Sequence, residues 1–164
     1  MRSDIDLIAA QERDLQFTTF DPELAWRLGS RLRELSQMRG HSVVIDISRL
    51  DFQVFYCAVG TTTLDNAEWV RRKRAVTRRF QLSSYRIGLS LKADGTTLAD
   101  KHGLSPGDYA AHGGSFPINV IGTGFVGTVT VSGLPQRSDH ELIVEALCGE
   151  LNRSYQEIAL PREA

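Results

Sequence analysis

Between His112 and His140 the chain carries its strongest constraint on architecture. A glycine corner (His112-Gly113-Gly114-Ser115) precedes two apolar runs joined by Gly122-Thr123-Gly124, and a helix start follows. Phe116 to Ile121 and Phe125 to Ser132 are rich in β-branched and aromatic residues and lie too close for a parallel return, which needs a long crossover. They therefore read as an antiparallel hairpin. The same arrangement occurs earlier. Ser42 to Leu50 alternates, with Val43, Ile45 and Ile47 on one face and Ser42, Asp46 and Ser48 on the other. After a turn at Asp51, Phe52 to Gly60 is apolar on both faces, which predicts a central strand covered on both sides. Strands that come as adjacent pairs between helices argue for an α+β fold, a central antiparallel sheet with helices on its faces, and against a doubly wound parallel sheet.

Helix signals fill the intervals. Asp4 to Leu15 reads as a short helix in a peripheral N-terminal segment, residues 1–20. Asp21 as N-cap, Pro22 at the first helical position and Glu23 in the first turn open a second helix. Its stripe is Leu24, Leu28, Leu32 and Leu35, and Gly40 ends it. Beyond the polar corner Thr61-Thr62-Thr63, a long helix is predicted from about Asp65 to Gln81. Ser83 to Lys92 reads as a further helix or turn, and 96–111 as a partly helical crossover. In the last helix Ser138 and Glu141 have capping-box spacing, and Leu142, Ile143, Ala146, Leu147 and Leu151 form the buried face.

At 164 residues, 41% hydrophobic and 24% charged, the chain has material for one domain, 1–164, with a proper core. A net charge of −1 argues against nucleic acid as a partner. No apolar run approaches bilayer length, and the N-terminus lacks the apolar core of a secretory signal, so a cytoplasmic protein is expected. Cys57 and Cys148 match no zinc or redox spacing and read as reduced core residues. His41, His102, His112 and His140 are too scattered for a metal pair, and no metal is expected; His140, in the first turn of a helix, reads as neutral.

Chemistry concentrates in two places. From Trp69 to Phe80, six of twelve positions are cationic. On a helix Trp69, Val76 and Phe80 share a stripe with Lys73 between them, while the other cations mostly face away. A lysine in that position must snorkel, pair with a carboxylate or touch a ligand. The arginines read either as a solvated face paired with acids or as a grip for phosphate or carboxylate. The second place is His112-Gly113-Gly114, which is either a tight turn feeding Phe116 or a loop whose N–H groups hold an oxyanion. No Gly-x-Ser-x-Gly elbow accompanies it, which removes a hydrolase reading. Ser132 at a strand end, and Thr61 and Thr62 beside Asn66, can line a pocket or satisfy their own loops. The candidate ligand site is therefore Thr61, Thr62, Asn66, Trp69, Lys73, His112, Gly113, Gly114 and Ser132. In it Lys73 or a nearby arginine would hold an acidic group of a small ligand, the glycine turn would donate N–H groups, and Trp69 would supply an apolar wall. Two other functions stay open: a small-molecule enzyme using His112 as acid or base beside Lys73, and an interaction or assembly module presenting the basic helix. No catalytic residue is assigned.

The order Lys73-Arg74-Ala75 with Phe80, Ser83-Ser84, Gly113-Gly114, Pro117-Ile118, Val126-Gly127, Val131-Ser132-Gly133 and Asp139 resembles the haem-degrading-domain family. That family includes GlcG-like and secreted haem-binding proteins and the C-terminal domain of some corrinoid adenosyltransferases. Gly60-Thr61-Thr62, Asn66 to Lys73, His112-Gly113-Gly114, Ser132 to Gln136 and Asp139-His140 look like its cytoplasmic branch. The resemblance spans about Asp21 to Leu151. It implies a profilin-like α/β/α sandwich, assembly into dimers or larger rings, and haem, a corrinoid or another small molecule as ligand. It supplies no catalytic set.

Overall fold

The structure, a computed structural model, describes residues 3–162. Its elements run α1 (Asp4–Asp14), α2 (Pro22–Met38), β1 (Val43–Arg49), β2 (Phe52–Val59), α3 (Leu64–Phe80), α4 (Ser84–Ala93), α5 (Leu98–His102), β3 (Ser115–Val120), β4 (Gly124–Ser132), α6 (Gln136–Glu150) and α7 (Tyr155–Ile158). The four strands form one antiparallel sheet in the order β2-β1-β4-β3, with helices around it, as the α+β reading requires.

The sheet corrects one expectation. β2 is an edge strand, not a central one. The two hairpins join through β1 and β4, with Ile45 opposite Val131 on one side and Cys57 on the other, so β2 keeps one open edge. Phe55 and Val59 are buried, but Tyr56 is open and Phe52 is 68% exposed. Apolar sequence on both faces thus marks a strand that the single chain leaves partly uncovered.

The two faces of the sheet differ in chemistry. Val43, Ile45, Ile47, Phe116, Ile118, Val129 and Val131 join Leu28 and Leu32 of α2 and Ile143 and Leu147 of α6 in the main apolar core. The opposite face, beneath α3, carries buried Asp46, Ser48, Ser115, Thr128, Thr130 and Ser132. Buried polar groups require partners; α3 supplies one to Asp46 and Ser48, Ser115 and Thr130 bond each other at 2.9 Å, and Thr128 Oγ1 has none among the described residues. Arg74 of α3 turns in to Asp46 at 3.0 Å. Asp46 also accepts from the Ser48 hydroxyl at 2.8 Å and the Gln53 amide at 2.5 Å.

The start of α6 also differs from expectation. The helix begins at Gln136 and Ser138 lies inside it, because the preceding turn is closed by another residue: Asp139 Oδ1 accepts the Leu134 N–H at 3.0 Å. At the other pole α1 is held by polar contacts. Glu12 accepts the Ser83 N–H at 2.8 Å and pairs with Arg86 at 2.6 Å. The Gln11 amide donates to Ile158 O at 3.0 Å and Glu141 at 3.2 Å, so its oxygen faces His140 Nε2 at 2.8 Å. His140 must donate through Nε2, and its Nδ1 has no partner among the described residues.

His140 is fully buried between the rings of Tyr85 and Phe116. Burial first, and Arg137 second, push its pKa down from 6.5 to about 3. The unfolded chain therefore binds a proton that the native chain refuses as pH falls below 6.5, and stability present above that pH is lost toward pH 3. Over that window the loss approaches about 1.4 kcal/mol per pH unit. Urea titrations across the range are expected to give this slope, and His140→Gln to flatten it whatever its effect at neutral pH.

Candidate functional site

α3 enters the site from its capped end. Asn66 Oδ1 accepts the Thr63 N–H at 3.0 Å and fixes the first turn. The next turns place Asn66, Trp69 and Lys73 along one face. Lys73 reaches between the end of β4 and the start of α6. Its ammonium donates to Asp139 Oδ2 at 2.8 Å and to Val131 O at 3.2 Å, and the two charged side chains are only 4% and 1% exposed. The sequence left Lys73 between pairing and pocket use; it pairs with Asp139, and both side chains line a cleft.

Burial lowers the Lys73 pKa against the pull of Asp139, and raises the Asp139 pKa against Lys73 and the N–H groups of Leu134 and Gly133. The close fit depends on Gly114. A Cβ there would lie 2.7 Å from Lys73 Nζ and collide with Val131 O, and its φ of +128° also excludes most side chains.

The 112–114 corner is pinned from both sides. Ser84 Oγ donates to His112 O at 2.5 Å and accepts the Ser115 N–H at 3.0 Å. The Gly113 N–H goes to Gln136 Oε1 at 3.2 Å, and Gly114 O accepts the Val131 N–H at 2.7 Å. The His112 ring stands edge-on to Trp69 at 5.1 Å, and the Arg72 guanidinium covers the Trp69 ring at 4.2 Å. Burial, then Lys73, then Arg72 lower the His112 pKa, so the imidazole is neutral at pH 7. Among the described residues no group hydrogen-bonds its ring nitrogens.

Two cavities share His112 as a wall. The first is the polar cleft, about 260 Å³, bounded by α3, the β4–α6 turn and α6. Asn66, Trp69, Lys73, His112 and Ser132 line it as the sequence proposed, joined by Asp65, Leu134, Gln136 and Asp139. Gly113 and Gly114 are outside its lining, and the Gly113 N–H expected to serve a ligand is taken by Gln136. Thr61 and Thr62 are outside its lining, and the Thr61 N–H anchors to Ser42 Oγ at 2.9 Å. The second cavity, about 520 Å³, is largely apolar, with Leu91, Leu98, Tyr109 and Ala111 as walls and Arg72 and Lys92 at its margin. Its walls come from the satellite core between α3, α4 and α5, the region whose mixed sequence signal had hidden it.

The basic run is mostly paired within the chain. Arg71 bonds Glu68 and Asp108, Arg74 bonds Asp46, and Arg78 bonds Asp51. Among the described residues no three His, Cys, Asp or Glu side chains converge as a metal site would need. No described helix is long and apolar enough to cross a membrane.

Comparison with known proteins agrees with this fold. Residues 20–148 match the family model described as haem-degrading protein, HbpS-like. A UPF0303 protein of Burkholderia cenocepacia is 54% identical over 159 residues, covering 97% of this chain and 96% of that protein. The crystal structure of the Ybr137w protein superposes with a TM-score of 0.84 at 29% identity, covering 90% of this chain and 88% of that one. The crystal structure of a PduOC–heme complex shares the fold, with a TM-score of 0.69 at 14% identity, over 84% and 98% of the two chains.

Removing the lysine leaves a buried carboxylate without its counter-charge, which costs about 3–5 kcal/mol. Lys73→Met is expected to lose that much in urea denaturation, and Lys73→Met with Asp139→Asn to lose clearly less, since the second change removes the stranded charge.

Proposed function

Since this chain belongs to the HbpS-like haem-degrading family, we propose that it is a cytosolic, homo-oligomeric small-ligand-binding protein whose ligand is haem or a related tetrapyrrole. The observation that carries this reading is His112. It is a neutral imidazole whose nitrogens bond no described residue, standing at the wall of an apolar cavity of about 520 Å³.

The residues present fit such a group. A tetrapyrrole needs an apolar slot, an axial donor and cations for its acidic side chains. Leu91, Leu98, Tyr109 and Ala111 would form the slot, His112 would be the donor, and Arg72 and Lys92 would meet the carboxylates. When bound, haem would supply iron redox chemistry; the chain's own part is to hold it and limit its exposure to water. The polar cleft is half that volume, so the ligand belongs on the α4–α5 side of His112. The known PduOC–heme complex on the same fold is consistent with this assignment. Self-association is supported by the open β2 edge, where Phe52 is 68% exposed, and by Trp26, 65% exposed, packed edge-on to Phe55 at 5.8 Å.

Titration with hemin is expected to give a saturable Soret shift at micromolar ligand, weakened at least about tenfold by His112→Ala. No spectral change with wild-type protein would remove tetrapyrroles from consideration. Light scattering is expected to give a mass that is a multiple of 18.2 kDa, reduced by Phe52→Asp. A monomeric wild-type protein would refute the assembly.

A further inference from the structure

Hydrogen-bonding capacity in the polar cleft is one-sided. The Lys73 ammonium has three N–H groups and spends two, on Asp139 and Val131. The third is left in a side chain that is only 4% exposed, where an unmet donor is costly. Asn66 spends its oxygen on the Thr63 N–H and keeps its amide N–H groups. Gln136 does the same, its oxygen being taken by the Gly113 N–H. The Ser132 hydroxyl, on a residue 4% exposed, and the Trp69 indole N–H make no hydrogen bond to any described residue. Five donors with spare capacity therefore line one space.

The acceptors of the same space are spent or peripheral. Asp139 accepts from Lys73 on one oxygen and from the Leu134 N–H on the other, with the Gly133 N–H adding to it. Asp65 lies at the exposed margin, where water solvates it. A space of about 260 Å³ suits a small molecule better than a macrocycle.

We propose that this cleft is a second ligand site, separate from the tetrapyrrole cavity, and that it takes a small organic carboxylate. The carboxylate lies against the free N–H groups of Lys73 and Asn66 and the Ser132 hydroxyl. The short carbon skeleton packs on Trp69 and Leu134. A planar two-oxygen acceptor suits amide and hydroxyl donors. A tetrahedral phosphate dianion concentrates its charge on one centre, which the buried cation of the lining, already paired with Asp139, does not meet. Arg72, stacked on Trp69, adds positive potential at the margin.

The chain has two tryptophans, Trp26 and Trp69, so the indole N–H resonances of isotope-labelled protein give an internal control. Titration with propionate and succinate is expected to move the Trp69 resonance saturably, with half-saturation below about 1 mM, and to leave Trp26 still. Asn66→Ala and Ser132→Ala are each expected to weaken binding about tenfold; Ser132→Ala carries the test if Asn66→Ala loosens the start of α3. No saturable shift of Trp69 up to about 10 mM of either acid overturns the proposal. So does an equal shift with inorganic phosphate or with propionamide. Hemin titration of Ser132→Ala separates the two sites: an unchanged Soret response leaves the tetrapyrrole reading standing whatever the carboxylate result.

Discussion

The buried Lys73–Asp139 pair is the contact on which the arrangement of this protein turns. It joins α3, which covers one face of the sheet, to α6, which packs on the other, across the end of β4. Such a pair adds little net stability, since dehydrating two charges offsets most of their attraction. Its value here is geometric. Asp139 also closes the β4–α6 turn through Leu134, and Lys73 also holds Val131 O. One ion pair thus sets the helix start, the strand end and part of the lining of the cleft together. Gly114 is the condition for it, because any Cβ there would occupy the space of the ammonium.

From that fixed point the rest of the site follows. With α3 held, Trp69 is placed to meet His112, and Arg72 is placed to lie on Trp69. Ser84 and Gln136 pin the corner that carries His112. The imidazole becomes a partition between a small donor-rich cleft and a larger apolar one. The two spaces differ in the size and polarity of what they admit, although one side chain borders both. The asymmetry repeats that of the sheet, which is apolar toward α2 and α6 and polar toward α3.

Much of this was legible in the sequence. Paired strands, the Asp21-Pro22 helix start, the hairpin at Gly122-Thr123-Gly124 and the inward lysine are local patterns, set by period, capping and burial cost. Five of the nine candidate ligand residues line one cleft. The misreadings share a cause. The apolar run of β2 resembled a central strand because hydrophobicity along a run does not show how many neighbours the sheet gives it, and here Phe52 and Tyr56 stay exposed. Ser138 resembled a cap because its spacing to Glu141 is right, yet Asp139 already closes the turn before it. For the arginines the sequence left open a face paired with acids or a grip for an anion, because helical position does not reveal that a sheet carboxylate, Asp46, waits opposite Arg74.

The sequence by itself determined the class of fold, the boundaries of most elements and the identity of the polar residues that need partners. Those follow from interactions a few residues apart along the chain. Tertiary structure alone decided the partners: Asp139 for Lys73, Gln11 for His140, Asp46 for Arg74. It alone revealed the apolar cavity, whose walls come from a stretch with no clear period. The physical reason is the same throughout. A buried charge states only that a counter-charge must exist, and a cavity is a property of surfaces from distant segments, so neither can be located until the chain has brought them together.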